Sequence, residues 1–134
     1  MSILKILLLF IIVSFEKPSD ECSKIYLIRH AEKVRTDKSD RDPDLNNKGF
    51  IRAENWKDYF FDKDISKIYS TNYKRTIKTV KPLAENKNLE IIIYSSDDIV
   101  YQDFLNSSVG ENTVVVGHSN TIPDFVNSLI NEDY

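Results

Sequence analysis

The sequence predicts an α/β protein, a three-layer α/β/α sandwich built on a mostly parallel sheet. Two observations lead to this prediction. Short apolar runs alternate along the chain with longer segments whose apolar residues recur every three or four positions. The runs at residues 91–93 and 114–116 contain no polar residue, as expected of strands that are buried on both faces. The crossovers that join such strands are right-handed and leave the strands parallel.

Each element can be placed from these patterns. Four segments have the length and the apolar or β-branched content of strands: residues 24–28, 65–70, 90–94 and 113–116. Four segments have helical spacing: residues 48–62, residues 73–84, a short stretch within 97–108, and residues 120–130. The stripe of the first helix that is expected to face the core consists of Phe50, Ala53, Trp56 and Phe60. Pro82 is expected to kink the second helix or to end its regular hydrogen bonding.

Length and charge limit the possible functions. The 134 residues suffice for one domain, and the apolar fraction of 41% and charged fraction of 29% are ordinary for a soluble globular protein. The net charge is −3, and the cationic residues are spread along the chain. A nucleic-acid-binding protein would carry a clustered basic face, so no nucleic-acid partner is expected. A pocket with a few well-placed cations can still bind an anionic small molecule.

The first fifteen residues differ from the rest. Lys5 precedes an unbroken apolar run at residues 6–13, which is too short for a typical membrane span of about 20 residues. This layout predicts a secretory signal peptide, with residues 1–22 as leader and linker and residues 23–134 as the domain. The protein is therefore expected to be periplasmic, secreted or membrane-anchored. The open alternatives are an uncleaved anchor, which would be the only contact with a membrane, and a buried first strand.

Cys22 is the only cysteine, so no intramolecular disulfide can form.

The only two histidines follow two of the predicted strands. His30 comes directly after the first strand, and His118 comes after the fourth. Ligand sites in open parallel sheets lie beyond the carboxyl ends of the strands, so both imidazoles should emerge at one edge. Arg29 precedes the first histidine, and Arg75 falls in the first turn of the helix after the second strand. Two arginines and two histidines are therefore expected around one pocket.

The turn after the fourth strand favours an anion. Gly117 lets the backbone approach closely, and Asn120 is expected to cap the next helix, with Pro123 in its first turn. Ser119 and Asn120 lie where the free backbone amides of a helix start attract negative charge. Guanidinium groups, imidazoles and a helix start together suit phosphate. No metal site is expected, because no carboxylates or thiolates cluster near either histidine.

Four stretches carry these residues: RHAEK at 29–33, LNNKGFIRA at 45–53, YSTNYKRTIKT at 69–79 and VVVGHSNT at 114–121. Together they resemble the histidine phosphatase superfamily, also called phosphoglycerate-mutase-like. The resemblance spans most of residues 24–130, and it is specific because the Arg-His pair and the later Gly-His pair occur in combination. It implies the histidine-phosphatase-like α/β fold and a phosphatase that needs no cofactor.

The resemblance also implies a covalent phosphohistidine mechanism. His30 would be the nucleophile that attacks phosphorus. Arg29 and Arg75 would hold the phosphoryl oxygens, and a protonated His118 would hydrogen-bond them as charge develops. Water would then hydrolyse the intermediate without a metal.

The leaving group needs a general acid. In the family this acid is a carboxylate that follows the third strand or lies beside the second histidine. The first candidates are Asp97 and Asp98, which follow the third strand, with Asp103 a turn further on. Asp124 in the last helix is the remaining candidate.

Several alternatives stay open for the function. The compact chain favours a phosphatase over a mutase, because the mutases of the family carry inserted segments. The substrate is either a small phosphate ester or a phosphohistidine protein. The rival class is a non-catalytic module that binds phospho-ligands on the same fold. Relatives continue into another strand after the last helix, so the domain is expected either to be truncated or to do without this edge strand.

Overall fold

The sheet has four strands, all parallel, in a computed structural model that describes residues 22–99 and 101–133. Residues 1–21 of the predicted leader and linker lie outside these ranges. The strands are β1 (Lys24–Arg29), β2 (Lys67–Thr71), β3 (Ile91–Tyr94) and β4 (Asn112–Gly117). The helices are α1 (Asn47–Tyr59), α2 (Lys74–Lys87), α3 (Tyr101–Ser107) and α4 (Ile122–Ile130). Within the described ranges, no helix is both long and apolar enough to cross a bilayer.

The strand order β1-β4-β2-β3 puts the last strand of the chain in the interior of the sheet. β4 pairs with β1 on one side and with β2 on the other. The register sets Arg29 opposite Gly117 and Ser70 opposite Val116, so these three strands end at nearly the same level. Their carboxyl ends therefore form one edge, and the loops that start there share it.

Helices cover both faces of the sheet, which confirms the three-layer architecture. On one face, Val116 packs with Leu83 of α2 and with Phe60, which follows α1. On the other face, Val115 packs with Phe104 of α3 and with a phenylalanine of α4. Successive residues of a strand point to opposite faces, so the apolar run of β4 contributes to both layers.

The core stripe of α1 is shorter than the spacing predicted. Ala53 and Phe60 are buried as expected, but Phe50 is 45% exposed. Its ring lies 5.8 Å from the ammonium group of Lys78 on the surface. The first turn of α1 lies against the loop that follows β1 rather than against the sheet, so the inward face of the helix begins one turn later.

The second helix is longer than predicted. α2 continues through Pro82 to Lys87 and ends at Asn88, whose φ of 53° is left-handed. A proline removes one helical hydrogen bond. Val80 and Leu83, on either side of it, are fully buried, and this packing holds the helix together across the missing bond.

The first helix begins under the chain that leaves β1. The side chain of Asn46 caps the helix by accepting a hydrogen bond from the Gly49 amide at 2.9 Å. The Asn46 amide itself donates to the Glu32 carbonyl at 2.9 Å. A Cβ atom at Gly49 would overlap that carbonyl oxygen. A backbone carbonyl cannot swing aside as a side chain can, so the crossing requires glycine.

Gly49→Ala should therefore destabilise the protein, although glycine to alanine in an open helix interior stabilises by about 1 kcal/mol. We expect the free energy of unfolding to fall by roughly 1–3 kcal/mol, the usual cost of overpacking. Urea denaturation followed by circular dichroism measures this change. Asn55→Ala, at an exposed position of the same helix, is the control and should stay within about 0.5 kcal/mol of the wild type. A Gly49→Ala protein as stable as the wild type would contradict the close crossing.

Candidate active site

Two histidine rings lie side by side at the carboxyl edge of the sheet. His30 follows β1, and its amide continues the strand pairing by donating to the Gly117 carbonyl at 3.0 Å. His118 follows β4. The centroids of the two rings are 5.4 Å apart, and the ring planes make an angle of 62°. The parallel pairing of β1 with β4 therefore brings the two predicted imidazoles to one place.

The ring of His30 is held in one tautomer. Its Nδ1 lies 2.7 Å from the carbonyl oxygen of Ala31. A carbonyl oxygen can only accept, so Nδ1 carries the proton and the neutral ring has an unprotonated Nε2. The Ala31 amide donates to the hydroxyl of Thr79 at 2.8 Å, and that hydroxyl donates to the Arg75 carbonyl at 2.6 Å. The residue after His30 is thus tied to the helix that carries Arg75.

Buried hydroxyl groups support the second histidine. Nε2 of His118 lies 2.9 Å from Oγ1 of Thr71, which in turn lies 3.1 Å from Oγ1 of Thr76. On the other side of the ring, Nη2 of Arg75 lies 3.5 Å from Nδ1. Arginine can only donate, so Nδ1 accepts and the proton of the neutral ring sits on Nε2, directed at Thr71. Both ring nitrogens of His118 therefore have protein partners.

Arg75 is the buried cation of the site. Only 9% of the residue is exposed, and its guanidinium lies over the ring of Tyr73, 4.4 Å from the centroid. Nη1 donates to the Arg41 carbonyl at 3.4 Å and lies 3.7 Å from Oδ1 of Asp42. Nε is buried and has no hydrogen-bond partner among the described residues. Because a guanidinium has five N–H donors, Arg75 retains capacity for an anionic ligand.

Burial and neighbouring cations favour the neutral form of both imidazoles. Burial lowers the pKa of His30, and the charges of Arg75 and Arg29 lower it further. The hydrogen bond to the Ala31 carbonyl raises this pKa but only partly offsets the lowering. Burial, followed by the charge of Arg75, lowers the pKa of His118 to about 4. With these neighbours alone His118 is neutral at pH 7, whereas the sequence led us to expect a protonated ring.

Two clefts open beside the histidine pair. One, of about 1070 Å³, is lined by Arg29 and His30 and by residues at the start of α1. The other, of about 450 Å³, is lined by Arg75 and His118 together with Asp97. Each cleft therefore contains one of the two histidines and one of the two predicted arginines. In the part of the chain that the structure describes, no group of three or more His, Cys, Asp or Glu side chains could hold a metal ion.

The candidate acids differ in their distance from the site. Asp97 lines the smaller cleft with Arg75 and His118. Asp98 is exposed and lines neither of the two clefts. Asp103 and Asp124 lie exposed in the first turns of α3 and α4, also away from both clefts. Position alone therefore favours Asp97.

The turn after β4 differs from its prediction. α4 begins at Ile122 with Thr121 as its N-cap residue, so Asn120 is not the cap. The Thr121 hydroxyl accepts a hydrogen bond from the His118 amide at 3.2 Å, and this contact closes the turn one residue later than expected. Asn120 still lines the smaller cleft, whereas Ser119 is exposed and lines neither.

Some residues that contact the site were not foreseen. Thr71 and Thr76 support His118, and their signal was present in YSTNYKRTIKT, where a threonine ends the strand and two more recur at helical spacing. Tyr73 in the same stretch packs its ring 5.0 Å from that of His118. Asp42 gave no local signal, because the residue whose amide it accepts from, Lys74, lies 32 positions later.

A family model described as the histidine phosphatase superfamily (branch 1) matches residues 25–96, more than half of the 134 residues. The chain belongs to this superfamily. The matched region contains β1 apart from its first residue, both arginines of the predicted site and His30, and it ends just before Asp97. No curated protein sequence matches the chain.

Solved structures of phosphatases share the fold. The SixA protein of Agrobacterium tumefaciens, assigned as a phosphohistidine phosphatase, is 24% identical and has a TM-score of 0.63, over 83% of this chain and 79% of that chain. A phosphoserine phosphatase from Entamoeba histolytica is 17% identical with a TM-score of 0.61, over 84% and 82%. A mycobacterial glucosyl-3-phosphoglycerate phosphatase is 12% identical with a TM-score of 0.68, over 82% and 81%. At these identities the likeness shows the fold, and superfamily membership supports the phosphatase class.

The lowered pKa of His118 should make the protein less stable at mildly acid pH. The unfolded histidine takes up a proton near pH 6.5 and the folded one only near pH 4, so the unfolded state binds more protons in this window. Stability should therefore fall as pH drops from 7.5 to 5.0. In His118→Gln we expect the fall in melting temperature between these two pH values to shrink by roughly half, since His30 still contributes.

Thermal melts followed by circular dichroism at pH 7.5 and 5.0 measure this effect. Lys24→Gln, at the exposed start of β1, is the control and should keep the full loss. Glu32, whose pKa Arg52 lowers to about 2, contributes stability above about pH 4.5 and loses it only as pH falls toward 2, outside the window. An unchanged fall in His118→Gln would show that this ring is not the titrating group.

Proposed function

We propose that the protein is a phosphatase that forms a covalent phosphohistidine intermediate on His30 and acts on phosphomonoesters or on phosphohistidine proteins. The observation that carries the proposal is an unprotonated His30 Nε2 next to a second histidine ring and a buried arginine. Superfamily membership supports the same reaction class. An imidazole nitrogen with a free lone pair beside cationic groups suits attack on a phosphoryl centre.

Cationic groups bind the phosphoryl oxygens in this proposal. Arg75 lines the smaller cleft and has more N–H donors than its contacts with Arg41 and His118 use, and Arg29 lies beside His30 at the other cleft. A bound dianion would raise the pKa of His118, because it offsets the positive charge that acts on this ring. His118 would then hold a second proton on Nδ1, and this N–H would hydrogen-bond the phosphoryl group in place of the contact with Nη2 of Arg75. The two arginines bind the phosphoryl oxygens before and during the transfer, and the imidazolium adds positive charge where the transition state needs it.

The reaction would proceed in two steps. The Nε2 lone pair of His30 attacks phosphorus, and a P–N bond forms as the bond from phosphorus to the leaving oxygen breaks in line. Asp97, in its protonated form, donates its proton to that oxygen. Water then attacks phosphorus and returns a proton to Asp97. The P–N bond breaks, inorganic phosphate leaves, and His30 is neutral again.

The structural neighbours support both substrate classes. A SixA structure with tungstate is described as that of a protein histidine phosphatase, whereas other neighbours are phosphatases of phosphoserine or of glucosyl-3-phosphoglycerate. Their likeness to this chain is one of fold, so it does not separate small esters from a phosphohistidine protein. The nucleophile and its cationic neighbours would serve either substrate, because the transferred phosphoryl group is the same.

Replacing the nucleophile should abolish turnover. We expect the wild type to hydrolyse p-nitrophenyl phosphate in the presence of EDTA, and His30→Ala to lose at least about a thousandfold in kcat/KM. Release of p-nitrophenolate measures the rate. Lys24→Ala, at the far end of the same strand, is the control and should stay within about twofold of the wild type. A wild type that binds phosphate but is inert across a panel of phosphate compounds would instead be a binding module.

Acid quenching during turnover should trap the phosphoryl group on His30, and a label on another residue would contradict His30 as the nucleophile.

The choice of leaving group tests whether Asp97 is the general acid. An alkyl phosphate such as glycerol 2-phosphate needs an acid to protonate its departing oxygen, whereas nitrophenolate leaves without one. Asp97→Asn should therefore lose about a hundredfold in kcat/KM, which reports the phosphoryl transfer to His30, on the alkyl ester and much less on p-nitrophenyl phosphate. Asp98→Asn, one residue along and outside the clefts, is the matched control and should keep both rates. Equal losses on both esters, or a loss confined to Asp98→Asn, would contradict Asp97 as the acid.

A further inference from the structure

The segment at residues 41–44 lies against the first two turns of α2. Oδ1 of Asp42 accepts a hydrogen bond from the Lys74 amide at 2.9 Å and lies 3.7 Å from Nη1 of Arg75. The Arg41 carbonyl accepts from the same Nη1 at 3.4 Å. One turn further along the helix, Asp44 forms an ion pair with Lys78. Two carboxylates of one short segment thus contact two successive turns of the helix.

The start of α2 lacks a cap of its own. Its N-cap residue, Tyr73, makes no side-chain cap hydrogen bond, and no acidic residue lies in the first turn. The amides at a helix start need acceptors, and the positive end of the helix dipole disfavours the cations Lys74 and Arg75 that the sequence places there. Asp42 supplies both an acceptor and a negative charge from a distant part of the chain.

The same carboxylate bears on the orientation of Arg75. An arginine side chain has many rotamers, and its phosphate-binding value depends on the direction of the guanidinium plane. Here the plane lies over the Tyr73 ring, and its edges face the Arg41 carbonyl and Nδ1 of His118. Asp42 is the one carboxylate within 4.0 Å of this guanidinium among the described residues. It lies near Nη1, whereas the contact with His118 is made by Nη2.

We propose that Asp42 is a positioning residue for the phosphate-binding arginine: its carboxylate caps α2 and, through the ion pair, directs the guanidinium of Arg75 toward His118 and the phosphoryl group. The proposal rests on the function proposed above, because it takes Arg75 as a phosphate ligand. It assigns Asp42 no contact with substrate and no proton transfer.

The test separates the two roles of the carboxylate by substitution. Asp42→Asn keeps the oxygen that accepts from the Lys74 amide but removes the charge that pairs with Arg75. Asp44→Asn is the matched control, because it weakens the neighbouring ion pair of the same segment without touching Arg75. Binding of inorganic phosphate, measured by isothermal titration calorimetry, reports on the arginine without requiring turnover. Melting temperatures report on the cap.

We expect Asp42→Asn to melt within about 2 °C of the wild type and to bind phosphate roughly fivefold more weakly. The KM for p-nitrophenyl phosphate should rise by a similar factor, with kcat within about twofold, because a phosphate clamp that acts equally in ground and transition states changes KM. Asp44→Asn should keep its phosphate affinity within about twofold. Phosphate bound as tightly by Asp42→Asn as by the wild type, or more tightly, would overturn the proposal and leave Asp42 as a cap alone.

A double substitution distinguishes positioning from a general loosening of the fold. In an Arg75→Gln background the charge of Asp42 has no guanidinium to direct, so adding Asp42→Asn should change phosphate affinity less than twofold. A further fivefold loss in that background would mean that Asp42 acts by another route. If the wild type binds phosphate but does not turn over any phosphate compound, the catalytic proposal fails. The comparison of phosphate affinities between Asp42→Asn and the wild type still tests the role of Asp42.

Discussion

The pairing of β1 with β4 is the constraint on which the rest of the site depends. These strands are far apart in sequence, and their register sets Arg29 opposite Gly117. The His30 amide extends the ladder by one hydrogen bond to the Gly117 carbonyl, so the two histidines leave the sheet together. Glycine at position 117 lets the Ile122 side chain and the Tyr94 hydroxyl pack close to the end of β4, because a Cβ atom would press on both. A slip of one residue would turn the strand side chains to the wrong face and separate the imidazoles.

A second constraint is electrostatic. The site gathers guanidinium groups around two half-buried rings, and this combination drives both histidines toward the neutral form. Neutrality is what a nucleophilic imidazole requires, so the cations that would bind phosphate also keep His30 unprotonated. The same surroundings make a protonated His118 dependent on a bound anion. In the proposed mechanism, one arrangement of charge thus keeps His30 neutral before phosphate binds and lets His118 take up a proton afterwards.

The sequence predicted those features that are encoded locally. Strand and helix patterns gave the order of elements, and histidine or arginine at strand exits gave the candidate site, because the carboxyl edge of a parallel sheet gathers such residues. Contacts made across the fold were not visible. Phe50 fits the helical stripe of α1 but lies beyond the part that meets the sheet, and Asn120 has the right chemistry for a cap that Thr121 occupies. Asp42 sits in a polar loop whose partner helix begins 32 residues later.

The loop between β1 and α1 makes several of the contacts that could not be predicted from the sequence. Its first part crosses α1 at Gly49, and its last part, through Asp42, holds the start of α2. Just before the crossing, the Ala31 amide donates a hydrogen bond to the hydroxyl of Thr79 in α2. The segment after His30 therefore contacts both helices of one layer. The direction of Arg75 relative to His30 then depends on this loop as much as on the sheet, so a polar stretch without secondary structure is part of the framework of the site.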